Sequence, residues 1–159
     1  MARRNGTRAT LHSRHVDECV VSSDPRHIDR DLVWRFLHDE AYWAAGVPRE
    51  VMERAFDGSI CFSAFDRDPD QDGKQIGFAR VVTDRATFAW LCDVFVLKEH
   101  RGSGVAKRLM DAVIAHPDLK GLRNMLLATR DAHALYAGYG FTPLAEPQRW
   151  MSIRRPYRG

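Results

Sequence analysis

The stretch Val94-Phe95-Val96-Leu97-Lys98-Glu99-His100-Arg101-Gly102-Ser103-Gly104-Val105-Ala106-Lys107-Arg108-Leu109 decides how this chain is read. Its first residues are β-branched, aromatic and aliphatic, which suits a strand. Its last residues place Val105 and Leu109 at helical spacing, continued by Ala112 and Val113 and ended with the help of Pro117. Between them, Gly102 and Gly104 strip the turn of side chains. A bare turn that leaves a strand and opens a helix aims unhindered N–H groups and the positive end of the helix dipole at one point, where an anion, usually a phosphate, can sit. Two common phosphate ligands fit poorly. A P-loop needs Lys and Ser or Thr after its last glycine, where Val105 and Ala106 stand, and a dinucleotide turn needs a third small residue where Lys107 stands. ATP and NAD are both disfavoured.

Working upstream, residues 87–97 form the strand that feeds this turn. Residues 60–65 and 75–83 read as two earlier strands, separated by polar turns at 66–73 and around Asp84 and Arg85, so a three-strand meander is expected. A short first strand at 18–22 precedes it. Asp29 can cap a helix with Leu32, Val33, Phe36 and Leu37 on one side, closing near Gly46, and Pro48 opens a second helix with Val51, Met52 and Ala55, broken by Gly58. Downstream, 124–129 reads as a strand, 132–139 as a short helix, and Phe141 onward, including Trp150-Met151-Ser152-Ile153, as terminal β structure. The order is β, two helices, three β, α, β, α, β.

The segment Arg101, Gly104, Ala106 resembles the R/Q-x-x-G-x-G/A signature of the GNAT acyltransferase superfamily, and it falls where that family's fourth strand meets its third helix. A second match lies at Leu135-Tyr136 followed by Gly140-Phe141, similar to the family's L-Y-x-x-x-G-F. The resemblance covers most of residues 18–153. It implies an α/β fold around a mixed, mostly antiparallel sheet of about seven strands, splayed between strands four and five, with about four helices. It also implies acetyl-CoA as cofactor, held by Arg101, Gly102, Ser103, Gly104, Val105 and Ala106 at its pyrophosphate and by backbone groups of Phe95 and Val96 along its pantetheine arm. Tyr136 would be the acid that protonates the departing thiolate, or else a helix aromatic with a surface hydroxyl. Family members often carry Asn seven residues before that tyrosine; Thr129 stands there, which puts its contact with the cofactor arm in doubt.

In acyl transfer of this kind the amine attacks the thioester directly in a ternary complex. The amine must be neutral to do so, so a base or a water chain takes its proton. Asp93 is a candidate for that role or for holding a cationic substrate. An ion pair with Arg80 is the competing reading: if the turn centres on Arg85 and Ala86, Arg80 faces Leu91 and lies diagonal to Asp93. Tyr42 and Trp43, between the first two helices, are candidates for the acceptor wall, with core packing as the alternative for Trp43. His100 and His133 lack a spaced partner. No metal-ligand spacing is visible.

The remaining numbers set the frame. Three cysteines, Cys19, Cys61 and Cys92, sit among apolar neighbours without CxxC spacing, so buried reduced thiols are expected, and an acyl carrier role for Cys92 is discounted. The net charge of +3 is concentrated at the start: Arg3, Arg4, Arg8 and Arg14 precede the first acid, leaving 20 basic against 21 acidic side chains over residues 17–159. Residues 1–16 read as a basic, frayed arm and 17–159 as one domain; a near-neutral body argues against nucleic acid as partner. No apolar run approaches the roughly 20 residues of a membrane helix, and no secretory signal pattern is present, so a cytoplasmic protein is expected. A homodimer stays open, as does a non-catalytic acyl-CoA sensor or interaction domain. The acceptor amine is not legible.

Overall fold

In the computed structural model, which describes residues 18–157, five strands form a single sheet in chain order. The strands are β1 (Val20–Ser22), β2 (Ile60–Phe65), β3 (Gln75–Thr83), β4 (Phe88–Val96) and β5 (Asn124–Leu126); β1 to β4 are antiparallel neighbours, and β5 joins β4 in parallel. Helices α1 (Arg30–Asp39) and α2 (Arg49–Asp57) follow β1, α3 (Val105–Ala115) follows β4, and α4 (His133–Ala137) follows β5. The class is the expected α/β one, with five strands rather than seven. Residues after Phe141 form no strand among those described. Pro143, Pro147 and Pro156 explain why: each removes a donor that a ladder would need.

Each face of the sheet buries its own core. Ile60, Phe62 and Ala64 of β2, with Ala89 and Leu91 of β4, pack under Val105, Leu109, Met110 and Val113 of α3 and include Tyr136. On the opposite face Cys61, Phe78 and Phe95 meet Val33, Phe36 and Leu37 of α1 and Met52 and Phe56 of α2. The rings of Phe36 and Phe95 stack at 3.8 Å. Covered on both sides, β2 is apolar or small throughout instead of alternating.

Two local features hold the ends of β3 and α1. The Asp29 carboxylate accepts from the Leu32 N–H at 3.0 Å, capping α1, while its own N–H donates to buried Gln75 at 2.8 Å. A Cβ at Gly77 would lie 3.1 Å from the Phe95 carbonyl oxygen and 3.2 Å from a Val105 methyl, so the first turn of α3 can rest directly on β3 only because residue 77 has no side chain. Helix α1 stops at Asp39, seven residues short of Gly46, and residues 40–47 wind back as turns around buried Ala41 and Ala44.

Candidate active site

Strands β4 and β5 pair only at Phe88–Asn124, Ala89–Met125 and Trp90–Leu126. Beyond Trp90, β4 runs on for six residues with no strand on that side among the described residues, whereas the chain after Leu126 turns away into α4. The sheet is therefore split from Leu91 onward, and the backbone of the far half of β4 has polar groups to offer to something else. Phe95 and Val96 lie in that half. The Phe95 ring is committed to the α1 core, so its backbone is what the cleft can use.

At the far end of the split, Gly102 and Gly104 take the left-handed conformation, with φ of 75° and 84°. Gly104 is the N-cap of α3, and no side chain caps that helix, leaving the first-turn N–H groups of an 11-residue helix open. A Cβ at Gly102 would meet nothing within 4 Å. Val96, Gly102, Gly104, Val105, Ala106 and Leu135 line a cavity of about 490 Å³ there. Arg101 is exposed and folds back along the chain: its Nε donates to the Val96 carbonyl at 3.0 Å, closing the end of β4. The Ser103 hydroxyl donates to the His100 carbonyl at 2.5 Å, fixing the turn.

Near the point of splitting, a second cavity of about 340 Å³ brings together Tyr42, Trp43, Arg80, Asp93, Thr129 and Tyr136, residues that span positions 42 to 136 of the sequence. Trp90 and Asp131 also line it and carried no earlier assignment; the exposed position of Trp90 on an alternating strand was the signal available for it. Tyr136 is 8% exposed and forms a wall shared with a further cavity on the outer side of β5. Burial, then the charge of Asp131 and the neighbouring Tyr42, push its phenol pKa up, so the hydroxyl stays protonated and able to donate at neutral pH. Thr129 does not stand free: its hydroxyl accepts from the Ala132 N–H at 3.0 Å and turns the chain into α4. Tyr42 lies edge-on to Trp43 at 5.1 Å and carries the Arg130 guanidinium over its face at 3.8 Å.

Asp93 is bound on both carboxylate oxygens. Arg80 Nε donates to Oδ2 at 2.8 Å and Trp43 Nε1 to Oδ1 at 3.0 Å. The register differs from expectation by one residue: Arg80 faces Cys92, and Ala79 faces both Asp93 and Val94 across a β-bulge. Ordinary alternation would send Asp93 to the face opposite Cys92; with φ of 53° at the bulge it reaches Arg80 instead. Burial presses against the Arg80 charge, but the attraction of Asp93 and the nearby thiols overcomes it and the pKa of Arg80 is raised. The ion pair is thus present, and Trp43 is both cavity wall and donor to it. Cys92 beside the pair is pushed up to about 12 by burial, an inert thiol. All three cysteines are free, with Cys19 and Cys61 buried.

Comparison with known proteins agrees with this geometry. Residues 57–143 match the family model described as the acetyltransferase (GNAT) domain. A Gibberella zeae protein named as an acetyltransferase candidate is 31% identical over 134 residues, covering 74% of this chain and 75% of that protein. A crystal structure from Xanthomonas campestris, assigned to the GNAT acetyltransferases, superposes with a TM-score of 0.82 at 51% identity, covering 87% of this chain and 94% of the other. Glucosamine-6-phosphate N-acetyltransferase from Arabidopsis thaliana shares the fold alone, with a TM-score of 0.61 at 13% identity over 88% of this chain and 99% of that one. The split sheet with a glycine turn at its mouth defines an acyltransferase scaffold. The chain belongs to the GNAT acetyltransferase family and is an enzyme of the N-acetyltransferase class.

Proposed function

We propose that this enzyme uses acetyl-CoA and transfers the acetyl group to an amine by direct attack, with both substrates bound together. What supports the reading is a succession: the uncapped start of α3, the unpaired half of β4, and the cavity walled by Tyr136 follow one another along the split. The residues present fit the group. Open N–H groups at Gly102 to Lys107 suit a pyrophosphate, with no side chain over Gly102 to obstruct it. The backbone of Val94 to Val96 can pair with an extended amide-bearing arm as with another strand. Bound acetyl-CoA supplies an activated thioester.

The chain's own groups do the rest. A β4 backbone N–H near the bulge can polarise the carbonyl oxygen. With acetyl-CoA bound, Tyr136 would be placed to pass its proton to the sulfur released as the amine takes the acetyl group, and the proton of the attacking amine would leave through water. Asp93 is a weak choice as base because Arg80 and Trp43 occupy both of its oxygens; we assign it to shaping the cavity. A sensor without turnover would not need a buried, protonated phenol at that wall. Free cysteines suit a reducing compartment, and a cytoplasmic location accompanies this reading. Among the described residues no helix is long and apolar enough to cross a membrane.

Acetyl-CoA is expected to raise the melting temperature, and Gly104→Val to remove the rise, since a branched side chain at φ of 84° strains the turn and covers its N–H groups. Arg101→Ala should weaken binding less, its guanidinium being spent on Val96. A folded Gly104→Val protein that binds acetyl-CoA normally refutes the cofactor assignment.

A further inference from the structure

The cavity at the splitting point holds three ring systems that water reaches: Tyr42 at 50%, Trp43 at 39% and Trp90 at 36% exposure. Large rings left uncovered around one hollow are a binding surface in search of a flat apolar partner. The charges there are unevenly committed. Arg80 and Asp93 neutralise one another, with Trp43 Nε1 on the remaining oxygen. Arg130 lies over one face of the Tyr42 ring and is not among the residues that line the cavity. Asp131 lines the same cavity and makes no ion pair or hydrogen bond among the described residues. It lies close enough to Tyr136 for its charge to act on the phenol.

We infer that Asp131 receives the ammonium group of the acceptor, and that Tyr42 and Trp90 clasp the body attached to it, so that the cavity selects a primary monoamine carried on an aromatic or flat apolar group. The inference rests on the acetyl-transfer reading for its purpose, though the binding itself does not need it. One free carboxylate offers one cationic subsite. A polyamine would bring further charges toward Arg130 and the closed Arg80–Asp93 pair, where nothing complements them. An ammonium held at Asp131 also lies on the Tyr136 side of the cavity, where the leaving sulfur is to be protonated; it gives one proton to water to become the neutral nucleophile, and a second leaves as the C–N bond forms. Aromatic faces add cation–π attraction to the same charge.

Phenethylamine is the probe, titrated against tryptophan fluorescence without acetyl-CoA and then used in thiol-release kinetics beside spermidine. Saturable binding is expected, and Asp131→Asn should raise its Kd and KM by about tenfold or more, the effect of losing a charge-assisted hydrogen bond. The acetyl-CoA melting shift should hold while amine binding weakens, a split that general loss of structure does not produce. Identical titrations for wild type and Asp131→Asn overturn the assignment, as does a preference of tenfold or more for spermidine. Phenethylamine binding that depends on Asp131 in a protein that acetyl-CoA does not stabilise leaves the amine site standing and removes the acetyl-transfer reading instead.

Discussion

Asp93 offers a test in which backbone, charge and packing can be separated. The carboxylate is 7% exposed and its partner Arg80 16%, so neither charge is well solvated once the other is removed. Truncation to Ala leaves a buried guanidinium unpaired, at a cost of about 3–5 kcal/mol. It also places a residue that disfavours positive φ at 53°, adding about 1 kcal/mol. A domain whose whole stability is roughly 5–15 kcal/mol will feel this strongly. Asn is the cleaner variant. It tolerates the left-handed region and keeps an acceptor for Trp43 Nε1, but it removes the charge and turns an amide NH2 toward the Arg80 donor, so about 1.5–3 kcal/mol is expected. In an Arg80→Met background the same Asp93→Asn change should cost about 1 kcal/mol less than it does alone, because no buried cation remains to be stranded. Urea unfolding followed by circular dichroism, with the slope m unchanged across the set, supplies all four corners of the cycle. A coupling below about 0.5 kcal/mol, or an Asn variant no less stable than wild type, refutes the claim that this pair supports the bulge.

Three further outcomes are expected. Tyr136→Phe should lower kcat by roughly 10²–10⁴ with the Kd of acetyl-CoA little changed, measured by thiol release and thermal shift; near wild-type turnover with chemistry rate-limiting makes Tyr136 a packing residue. Ser63 is fully buried and its hydroxyl has no hydrogen-bond partner, so Ser63→Ala should stabilise the protein by about 1 kcal/mol in the same urea assay, and a loss of stability contradicts the unsatisfied hydroxyl. Tyr139 donates to Asp111 at 2.8 Å, and burial together with that carboxylate pushes its pKa from 10.0 up to about 12. The folded state holds this proton more tightly, so the contribution is complete below pH 10, fades between 10 and 12, and is absent in Tyr139→Phe. Parallel alkaline melting curves for the two proteins would count against it.

The meander and the glycine turn were legible because their punctuation is local. Gly58, Gly73 and Asp84 bracket strands at 60–65 and 75–83, and the structure has those bounds. The end of α1 was not legible, since Ala41 and Ala44 continue a helical pattern that the chain instead folds into buried turns. Terminal strands were over-read from Trp150, Met151 and Ile153, whose apolar character outweighed the prolines around them. At the site, Gly102 and Gly104 stood out through the strand–turn–helix spacing, and Tyr136 through its resemblance to the family's L-Y-x-x-x-G-F. The Arg80–Asp93 contact was anticipated through a register that proved one residue off; the bulge that actually makes it depends on a left-handed torsion at a residue other than glycine, for which sequence carries little signal. Asp131 acquires meaning only from the cavity it shares with residues far away in the chain.

The left-handed torsion at Asp93 also bears on how such enzymes diverge. Position 93 passes two independent filters: the backbone angle admits chiefly Asp, Asn or Gly, and the cation at Arg80 then favours Asp among them. A site screened twice in this way changes slowly under mutation even though no proton need ever cross it. The opposing wall at Tyr42 and Trp90 answers to no torsional demand of that sort, so acceptor preference can drift there while the floor of the cavity keeps its shape.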